Sequence, residues 1–482
     1  MNTPRLSRRQ LLLSSGLASG LALAGRSHNA WAQAAPLANT GSGRLIVVLL
    51  RGAYDGVSAF VPYADKDYYA IRPNIAIAAP DGTDKTSLKL DSTFALHPAL
   101  APILPLWQRG VLSFVPSAGL SAPNRSHFDA QYTMEIGQNG KTSAAAGWLN
   151  KAASQNKATN ITSTIGVDQR AATAIGVDQR SATAIGVDQR SATAIGVGEA
   201  NPAILAGQAQ VKLIPRGQAA ERTGVLANDK TREALMDLYA GNDKVSQAFR
   251  QGAGSRMQSA QELSTEKTET DGKRMGPVMR ADIDKSQDKD GTPATTQAQN
   301  AQMLAASNGA SDPIGLQLDA QHLGTLMRND RKLSLGFLSA GGWDTHANQG
   351  NSVGQLANNL GNLGRAISQL RQDFSEPGDV MVVMSEFGRT AAENGTRGTD
   401  HGYGNAMWLV GNRVNGGRWH GLWTGLARGN LNEARDLPAH HDYRAVLAQV
   451  MRSTFAMSDS ALGQVLPGAR WDSRLDTLMG RA

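Results

Sequence analysis

Apolar runs and helical patterns alternate along the chain. Four continuous apolar runs lie at residues 44–50, 111–115, 333–338 and 380–384, bounded by glycine or polar residues. Such runs are typical of strands that are buried on both faces. Helical periodicity at 321–327 and 353–373 precedes the last two runs. The alternation predicts an α/β fold, a mostly parallel sheet flanked by helices on both faces. Ligands of such sheets bind at the carboxyl ends of the strands.

The first 34 residues have the features of an export signal. A basic start containing Arg8 and Arg9 precedes an apolar stretch at 11–24 and a small-residue site ending at Ala34. This order predicts a twin-arginine signal peptide, residues 1–34, read by the twin-arginine translocase. The apolar stretch is shorter than the roughly 20 residues of a membrane span. We therefore expect residues 35–482 to form a single periplasmic or secreted domain without a stable membrane span.

Charge and cysteine content narrow the class of protein further. The formal net charge is +7, and it falls to +3 when Arg5, Arg8, Arg9 and Arg26 leave with the signal peptide. That value gives no support to a nucleic-acid partner. The chain contains no cysteine. Stability must therefore come from a buried core and not from disulfides.

Two stretches interrupt the alternating pattern. Residues 162–197 repeat a ten-residue unit almost letter for letter, with Asp-Gln-Arg at 168, 178 and 188. Near-identical copies indicate a recent tandem duplication, so the sequence predicts that deletion of two whole units, residues 168–187, leaves folding and metal content intact. Residues 251–312 are polar and contain few large apolar side chains. This composition predicts a flexible insertion or lid.

Chemically active residues follow each predicted strand. Each of them alone has an ordinary explanation as a turn residue, a helix cap or a structural histidine. Together they predict a site that holds one or two divalent cations beside a nucleophile. The candidates are Asp55, Ser126, His127, Asp344, His346, Glu386, Arg389, Asp400 and His401.

Five blocks in chain order carry a resemblance to a known family. They are Leu49-Leu-Arg-Gly-Ala-Tyr-Asp-Gly56, Arg125-Ser-His-Phe-Asp-Ala-Gln131, Gly342-Trp-Asp-Thr-His-Ala-Asn-Gln349, Ser385-Glu-Phe-Gly-Arg-Thr390 and Gly398-Thr-Asp-His-Gly402. The chain from about 44 to 455 resembles the domain-of-unknown-function family 1501. That family is exported, commonly by the twin-arginine route, and is grouped with the alkaline phosphatase and sulfatase superfamily. The resemblance implies an alkaline-phosphatase-like fold.

The resemblance also implies a metal site. Asp400 and His401 resemble the superfamily's Asp-His ligand pair, and Asp55 resembles its aspartate after the first strand. Asp344 and His346 would complete a second metal site, with Glu386 nearby, although the superfamily spaces that pair as Asp-x-x-x-His. A further histidine ligand normally follows late in the chain. His420, His440 and His441 are all available for it.

Ser126 is the expected nucleophile, because the superfamily keeps a serine or threonine at this helix start. Arg125 and Arg389 are expected to clamp the ester oxygens, and His127 is a candidate to protonate the leaving group. Ser121-Ala-Pro-Asn-Arg125 also resembles the sulfatase pattern whose first residue becomes formylglycine. We prefer Ser126.

The sequence thus predicts a metal-dependent hydrolase of phosphate or sulfate esters. Its substrate would be an anionic ester, and its cofactor a divalent metal ion: zinc, manganese or calcium. The alternative is a non-catalytic periplasmic binding or accessory protein that retains a degenerate phosphatase-like fold. The irregular Asp-x-His spacing favours this alternative, and metal content distinguishes the two.

Overall fold

The computed structural model describes residues 43–140, 146–155, 164–165, 194–197, 202–271 and 297–480. Its strands, in chain order, are β1 (Leu45–Leu50), β2 (Phe60–Val61), β3 (Leu88–Lys89), β4 (Ala95–Leu96), β5 (Leu112–Gly119), β6 (Thr164–Ile165), β7 (Ala194–Val197), β8 (Val211–Ile214), β9 (Leu335–Ala340), β10 (Val380–Ser385), β11 (Asn405–Gly411), β12 (Arg418–Trp419) and β13 (His441–Asp442).

Ten of these described strands form one sheet. Their order is β12-β5-β11-β10-β1-β9-β7-β6-β8, and β13 also pairs with β5. Every pairing is parallel except the two made by β11, which runs antiparallel between β10 and β5. A small antiparallel sheet, β2-β4-β3, lies apart from it. The protein is therefore an α/β protein with a mixed, mostly parallel sheet.

Helices pack on both faces of this sheet. The α-helices are α1 (Gly56–Ala59), α2 (Lys66–Ile71), α3 (Leu104–Gln108), α4 (His127–Ile136), α5 (Trp148–Gln155), α6 (Asp229–Leu238), α7 (Lys244–Asp271), α8 (Gln297–Ala306), α9 (Leu316–Asn329), α10 (Gln355–Asp373), α11 (Tyr443–Phe455) and α12 (Asp459–Val465). Short 3₁₀ helices lie at Pro98–Ile103, Ala203–Leu205, Gly217–Ala219, Gly224–Ala227, Arg428–Asn430 and Ser473–Leu475.

The side chains of β1 show how the sheet divides the core. Leu45, Val47 and Leu49 pack in one apolar cluster with α4, α5, α11 and α12. Ile46 and Val48 point to the other face and pack with α9 and α10. Successive side chains of a strand point to opposite faces, so a strand that is buried on both faces must be apolar throughout. This is why β1 is a continuous apolar run.

The predicted fold class and the four predicted strands are confirmed, with bounds that differ by a few residues. The helical patterns at 321–327 and 353–373 correspond to α9 and α10. The described parts of the predicted insertion contain helix, in α7 and α8, and Leu263 of α7 is buried against the core. Residues 272–296, most of the repeat and the expected signal peptide lie outside the described residues. No helix in the described ranges combines the length and the apolar character that crossing a membrane requires.

Candidate functional site

The carboxyl edge of the sheet brings the predicted residues together. β1, β9 and β10 end at this edge and are followed by Arg51, Asp344 and Glu386 respectively. β5 also ends there and leads to the start of α4. Because β11 is antiparallel, its amino end lies at the same edge, so the preceding loop with His401 reaches it too. The topology therefore collects five chain segments in one place.

Backbone geometry folds the loop before β11 back onto the edge. Arg389 and His401 form an isolated antiparallel bridge across this loop. Gly398 packs against the backbone of His346, and Gly402 packs against that of Arg389. A Cβ at either glycine would collide with that backbone. Glycine at these two positions thus permits the close approach that brings His401 beside His346.

Four side chains converge at the edge, and we call His127, Asp344, His346 and His401 the histidine cluster. His401 Nε2 lies 2.9 Å from His127 Nε2 and 3.0 Å from His346 Nε2. Asp344 Oδ1 lies 2.9 Å from His346 Nε2, 3.1 Å from His401 Nε2 and 3.5 Å from His127 Nε2. The ligand atoms of His127, Asp344 and His401 therefore lie within 4.8 Å of one another, close enough to hold a metal ion, and His346 Nε2 contacts the last two.

The other ring nitrogen of each histidine in the cluster has an oxygen partner. His127 Nδ1 lies 2.8 Å from Glu386 Oε1, His346 Nδ1 lies 3.1 Å from Asp400 Oδ1, and His401 Nδ1 lies 2.9 Å from the carbonyl oxygen of Arg125. A carbonyl or an ionised carboxylate only accepts, so each Nδ1 carries the proton. In a neutral imidazole this leaves the Nε2 lone pair free. His127 and His346 each direct Nε2 towards His401 Nε2, and Asp344 Oδ1 lies near all three nitrogens.

The carboxylates and histidines of the cluster shift one another's pKa values. Burial would raise the pKa of Asp344, but hydrogen bonds from His127, His346 and His401 and the charge of Arg389 hold it well below its usual range. Burial would lower the pKa of His127, but hydrogen bonds to Asp344 and Glu386 raise it to about 9. Glu386 is fully buried, and His127 and Gln131 keep its pKa below the usual value against the effect of burial. In the cation-free protein, a proton on His127 supplies positive charge.

Arg389 orients the carboxylate of Asp344. Its guanidinium is buried, and NH1 donates to Asp344 Oδ1 at 2.6 Å. Its Nε donates to Thr399 Oγ1 at 3.1 Å, and the Thr399 hydroxyl donates to Gln349 Oε1 at 2.8 Å. Gln349 Nε2 in turn donates to Asp55 Oδ2 at 2.8 Å. Arg389, predicted to clamp an ester, therefore orients a carboxylate of the cluster.

Asp55 lies at the far end of this network, and in the described structure no contact joins it to the ligand atoms of the cluster. Both of its oxygens accept from the Arg72 guanidinium, at 2.6 and 3.2 Å, and the side chain also caps α1 through Val57 N and Ser58 N. Asp55 and Arg72 are both fully buried. The structure thus places the predicted metal ligand Asp55 in a buried ion pair.

Other predicted residues surround the cluster without pointing into it. Glu386 and Asp400 hold histidines of the cluster through Nδ1. Ser126 caps α4, accepting from Asp129 N at 3.5 Å, and is exposed. The Arg125 side chain pairs with Glu433 and Asp436. His127, predicted as a proton donor, is placed as a candidate ligand instead.

The late histidines all have partners away from the cluster. His420 contacts Thr477 Oγ1 and Asn415 O, His440 contacts Thr424 Oγ1, and His441 contacts Asp472 Oδ2. Ser121, the alternative nucleophile, accepts from Asn139 Nδ2 at 2.8 Å. The structure therefore brings none of these four residues to the cluster.

Sequence reasoning missed Arg51, Gln131 and Glu135, which form a buried chain of contacts behind Glu386. The spacing of polar residues on α4 could have indicated this group of contacts. His127, Gln131 and Glu135 lie four residues apart, so they share one helical face. Polar residues on the buried face of a helix need partners, and that requirement indicates a site.

The protein is an α/β protein whose sheet carries, at its carboxyl edge, a group of His127, Asp344 and His401 that could hold a metal ion, with His346 in contact. Residues 42–467 match the family described as "Protein of unknown function (DUF1501)". The chain belongs to this family. No curated protein shows a significant match to the sequence.

Proposed function

We propose that this chain is an exported metal-dependent hydrolase of phosphate or sulfate esters, with an alkaline-phosphatase-like fold and one divalent cation held by the histidine cluster. The observation that carries the proposal is how close the possible ligand atoms lie. His401 Nε2 lies 2.9 Å from His127 Nε2 and 3.0 Å from His346 Nε2, and Asp344 Oδ1 lies 2.9–3.5 Å from the three Nε2 atoms. A cation bound here would replace the His127 proton and would offset the repulsion between the Nε2 lone pairs and the carboxylate.

The donor set indicates which cation fits. Imidazole nitrogen with one carboxylate oxygen is a ligand set for zinc and related transition metals. Calcium takes six to eight oxygen ligands, so the three nitrogens disfavour it. Metal-bound histidines ordinarily donate their second N–H to a carboxylate or carbonyl, as all three do here. Zinc or manganese is therefore the cation we propose.

The chain's own residues suit an anionic ester at this site. A bound divalent cation supplies Lewis-acid polarisation of an ester oxygen. His346 and His401 are each 26% exposed, so the cluster is open to solvent on their side. Ser126 directly precedes His127 and exposes its hydroxyl at the amino end of α4, where backbone N–H groups favour an anion. We propose Ser126 as the nucleophile: its Oγ bonds to phosphorus or sulfur as the ester bond to the alcohol breaks, the alcohol leaves with the serine proton, and water then hydrolyses the bond to Oγ.

One observation favours the second candidate, a non-catalytic metal-binding protein. Four protein ligands can close a zinc site, whereas catalytic zinc sites ordinarily have three and keep a position for substrate. Asp55 and Ser126 also act as helix caps. The two candidates differ in turnover, and both require a bound cation.

The test begins with metal content. We expect the purified mature protein to hold about one zinc or manganese ion per chain, and His401→Ala and His346→Ala to lose it. His440→Ala is the matched control, because His440 is also part-buried but lies outside the cluster. Unchanged metal content in both cluster variants would remove the ligand assignment. Metal-replete protein is then assayed on aryl phosphate, aryl phosphodiester and aryl sulfate. If the protein binds metal but turns over none of the three substrates, the hydrolase is excluded for these ester classes and the non-catalytic candidate is supported.

A further inference from the structure

A buried row of polar side chains on α4 leads away from the histidine cluster. His127, Gln131 and Glu135 share one face of the helix, and each is at most 8% exposed. Phe128, one residue along, is 57% exposed, so the row belongs to the inward face. Arg51, directly after β1, is 1% exposed and joins the row by contacting both Gln131 and Glu135. The row therefore has a charged pair at one end and the cluster at the other.

Arg51 fixes the orientation of the Gln131 amide. A guanidinium only donates hydrogen bonds, so the oxygen of the amide must face it. Arg51 NH1 donates to Gln131 Oε1 at 2.9 Å. The amide nitrogen then faces the other way and donates to Glu386 Oε1 at 2.9 Å and to Ala306 O at 2.7 Å. Glu135 pairs with the same guanidinium and holds it in place.

Glu386 connects the Gln131 amide to His127 of the histidine cluster. Its Oε1 accepts from Gln131 Nε2 at 2.9 Å and from Gly52 N at 2.7 Å, and lies 2.8 Å from His127 Nδ1. These donors fix the orientation of the buried carboxylate. Its Oε1 faces His127 Nδ1, and this contact turns His127 Nε2 towards the other ligand atoms. The orientation of the Gln131 amide thus affects how well His127 Nε2 is directed towards the other ligand atoms.

We propose that Gln131, oriented by Arg51, is a positioning residue that sets the cation affinity of the histidine cluster without touching the cation. This inference rests on the proposed function, because it assumes that the cluster binds a cation. Removal of an outer partner of a metal-ligating histidine lowers metal affinity by about 10–100-fold. Gln131 acts through Glu386, one contact further out, so we expect a loss of about 10-fold.

The test uses metal-free full-length mature protein and two variants. Gln131→Leu removes all three hydrogen bonds of the amide, to Arg51, Glu386 and Ala306, at similar side-chain size. Gln131→Glu keeps the shape and the acceptor for Arg51 but replaces the donor that faces Glu386. Gln449→Leu is the matched control, because Gln449 is also a buried helical glutamine, and its amide donates to Asp476 Oδ1 at 3.2 Å away from the cluster. Zinc affinity is measured by chelator competition, and ligand geometry by the visible spectrum of the cobalt(II) protein.

We expect both Gln131 variants to bind zinc about 10-fold more weakly and to show an altered cobalt spectrum. Gln449→Leu should keep both properties of the wild type, whatever it loses in stability. Should Gln131→Leu fail to fold, Gln131→Glu decides the question alone. Wild-type zinc affinity with a wild-type cobalt spectrum in the Gln131 variants would overturn this inference. Failure of the wild-type protein to bind either cation would instead overturn the proposed function, and this inference with it.

Discussion

Asp55→Asn tests whether Asp55 is a structural ion-pair partner or a metal ligand. The carboxylate accepts six hydrogen bonds, from the guanidinium of Arg72, the backbone and side chain of Ser58, Val57 N and Gln349 Nε2. Asparagine has the same shape but turns one acceptor into a donor. That NH₂ group faces donors in either orientation, and the buried charge of Arg72 loses its partner.

The structure gives the size of the effect. Removing one partner of a buried ion pair costs about 3–5 kcal/mol. A domain of roughly 440 residues has an unfolding entropy of about 0.9 kcal/mol/K near its midpoint. The midpoint should therefore fall by about 3–5 °C. The cation content should stay at the wild-type level, since Asp55 has no contact with the ligand atoms among the described residues.

Asp243→Asn is the matched control. Asp243 makes the same helix-cap contacts, to Val245 N at 3.0 Å, to Ser246 N at 2.9 Å and to Ser246 Oγ at 2.5 Å, but it is exposed. Its substitution should change stability by no more than about 0.5 kcal/mol. Both variants are followed by thermal unfolding and by metal analysis. Should Asp55→Asn unfold like Asp243→Asn and lose its cation, Asp55 is a ligand and the ion-pair reasoning is wrong.

Three further predictions concern pH, the nucleophile and export. Burial would raise the pKa of Asp55, but Arg72 and its other donors lower it. The stability that the charge of Asp55 contributes is therefore complete above pH about 4. It is lost as pH falls through the folded pKa, so thermal melts of wild type and Asp55→Asn should converge in acid. Ser126→Ala should abolish ester turnover. Ser458 is also a helix cap, so Ser458→Ala should lower the free energy of unfolding by a similar ~1 kcal/mol but leave turnover intact. Equal turnover in the two variants would exclude Ser126 as the nucleophile. Replacement of Arg8 and Arg9 by lysine should stop export, which cell fractionation measures.

The fold could be predicted from sequence because burial on both faces imposes a simple pattern. The runs at 44–50 and 380–384 contain only apolar residues apart from Arg44, and β1 and β10 lie inside or at the ends of these runs. The antiparallel β11 was not predicted. Its apolar run, Asn405–Gly411, has no feature that sets direction, since direction depends on where the preceding loop returns to the sheet.

The site could be predicted only in part. The ends of strands point to Asp344, His346 and His401, because chain order and the sheet class place those positions at one edge. Asp55 also follows β1, but it forms an ion pair with Arg72, 17 positions further along the chain. The spacing of the two residues in the sequence does not indicate that ion pair. The contact between His127 Nε2 and His401 Nε2 could not be predicted, because only the fold brings the start of α4 beside the loop before β11.

The two strands in the first and last copies of the repeat limit how its copy number can vary. β6 and β7 are parallel neighbours in the sheet, and residues 166–193 join them. Parallel neighbours need a crossover of about a dozen residues or more. Loss of one ten-residue unit leaves 18 residues for the crossover, but loss of two leaves 8, so the strand pairing argues against the tolerated two-unit deletion expected from the sequence. Near-identical copies are prone to gain and loss by slippage during DNA replication. Natural length variants of this gene should therefore include many expansions and contractions of at most one unit.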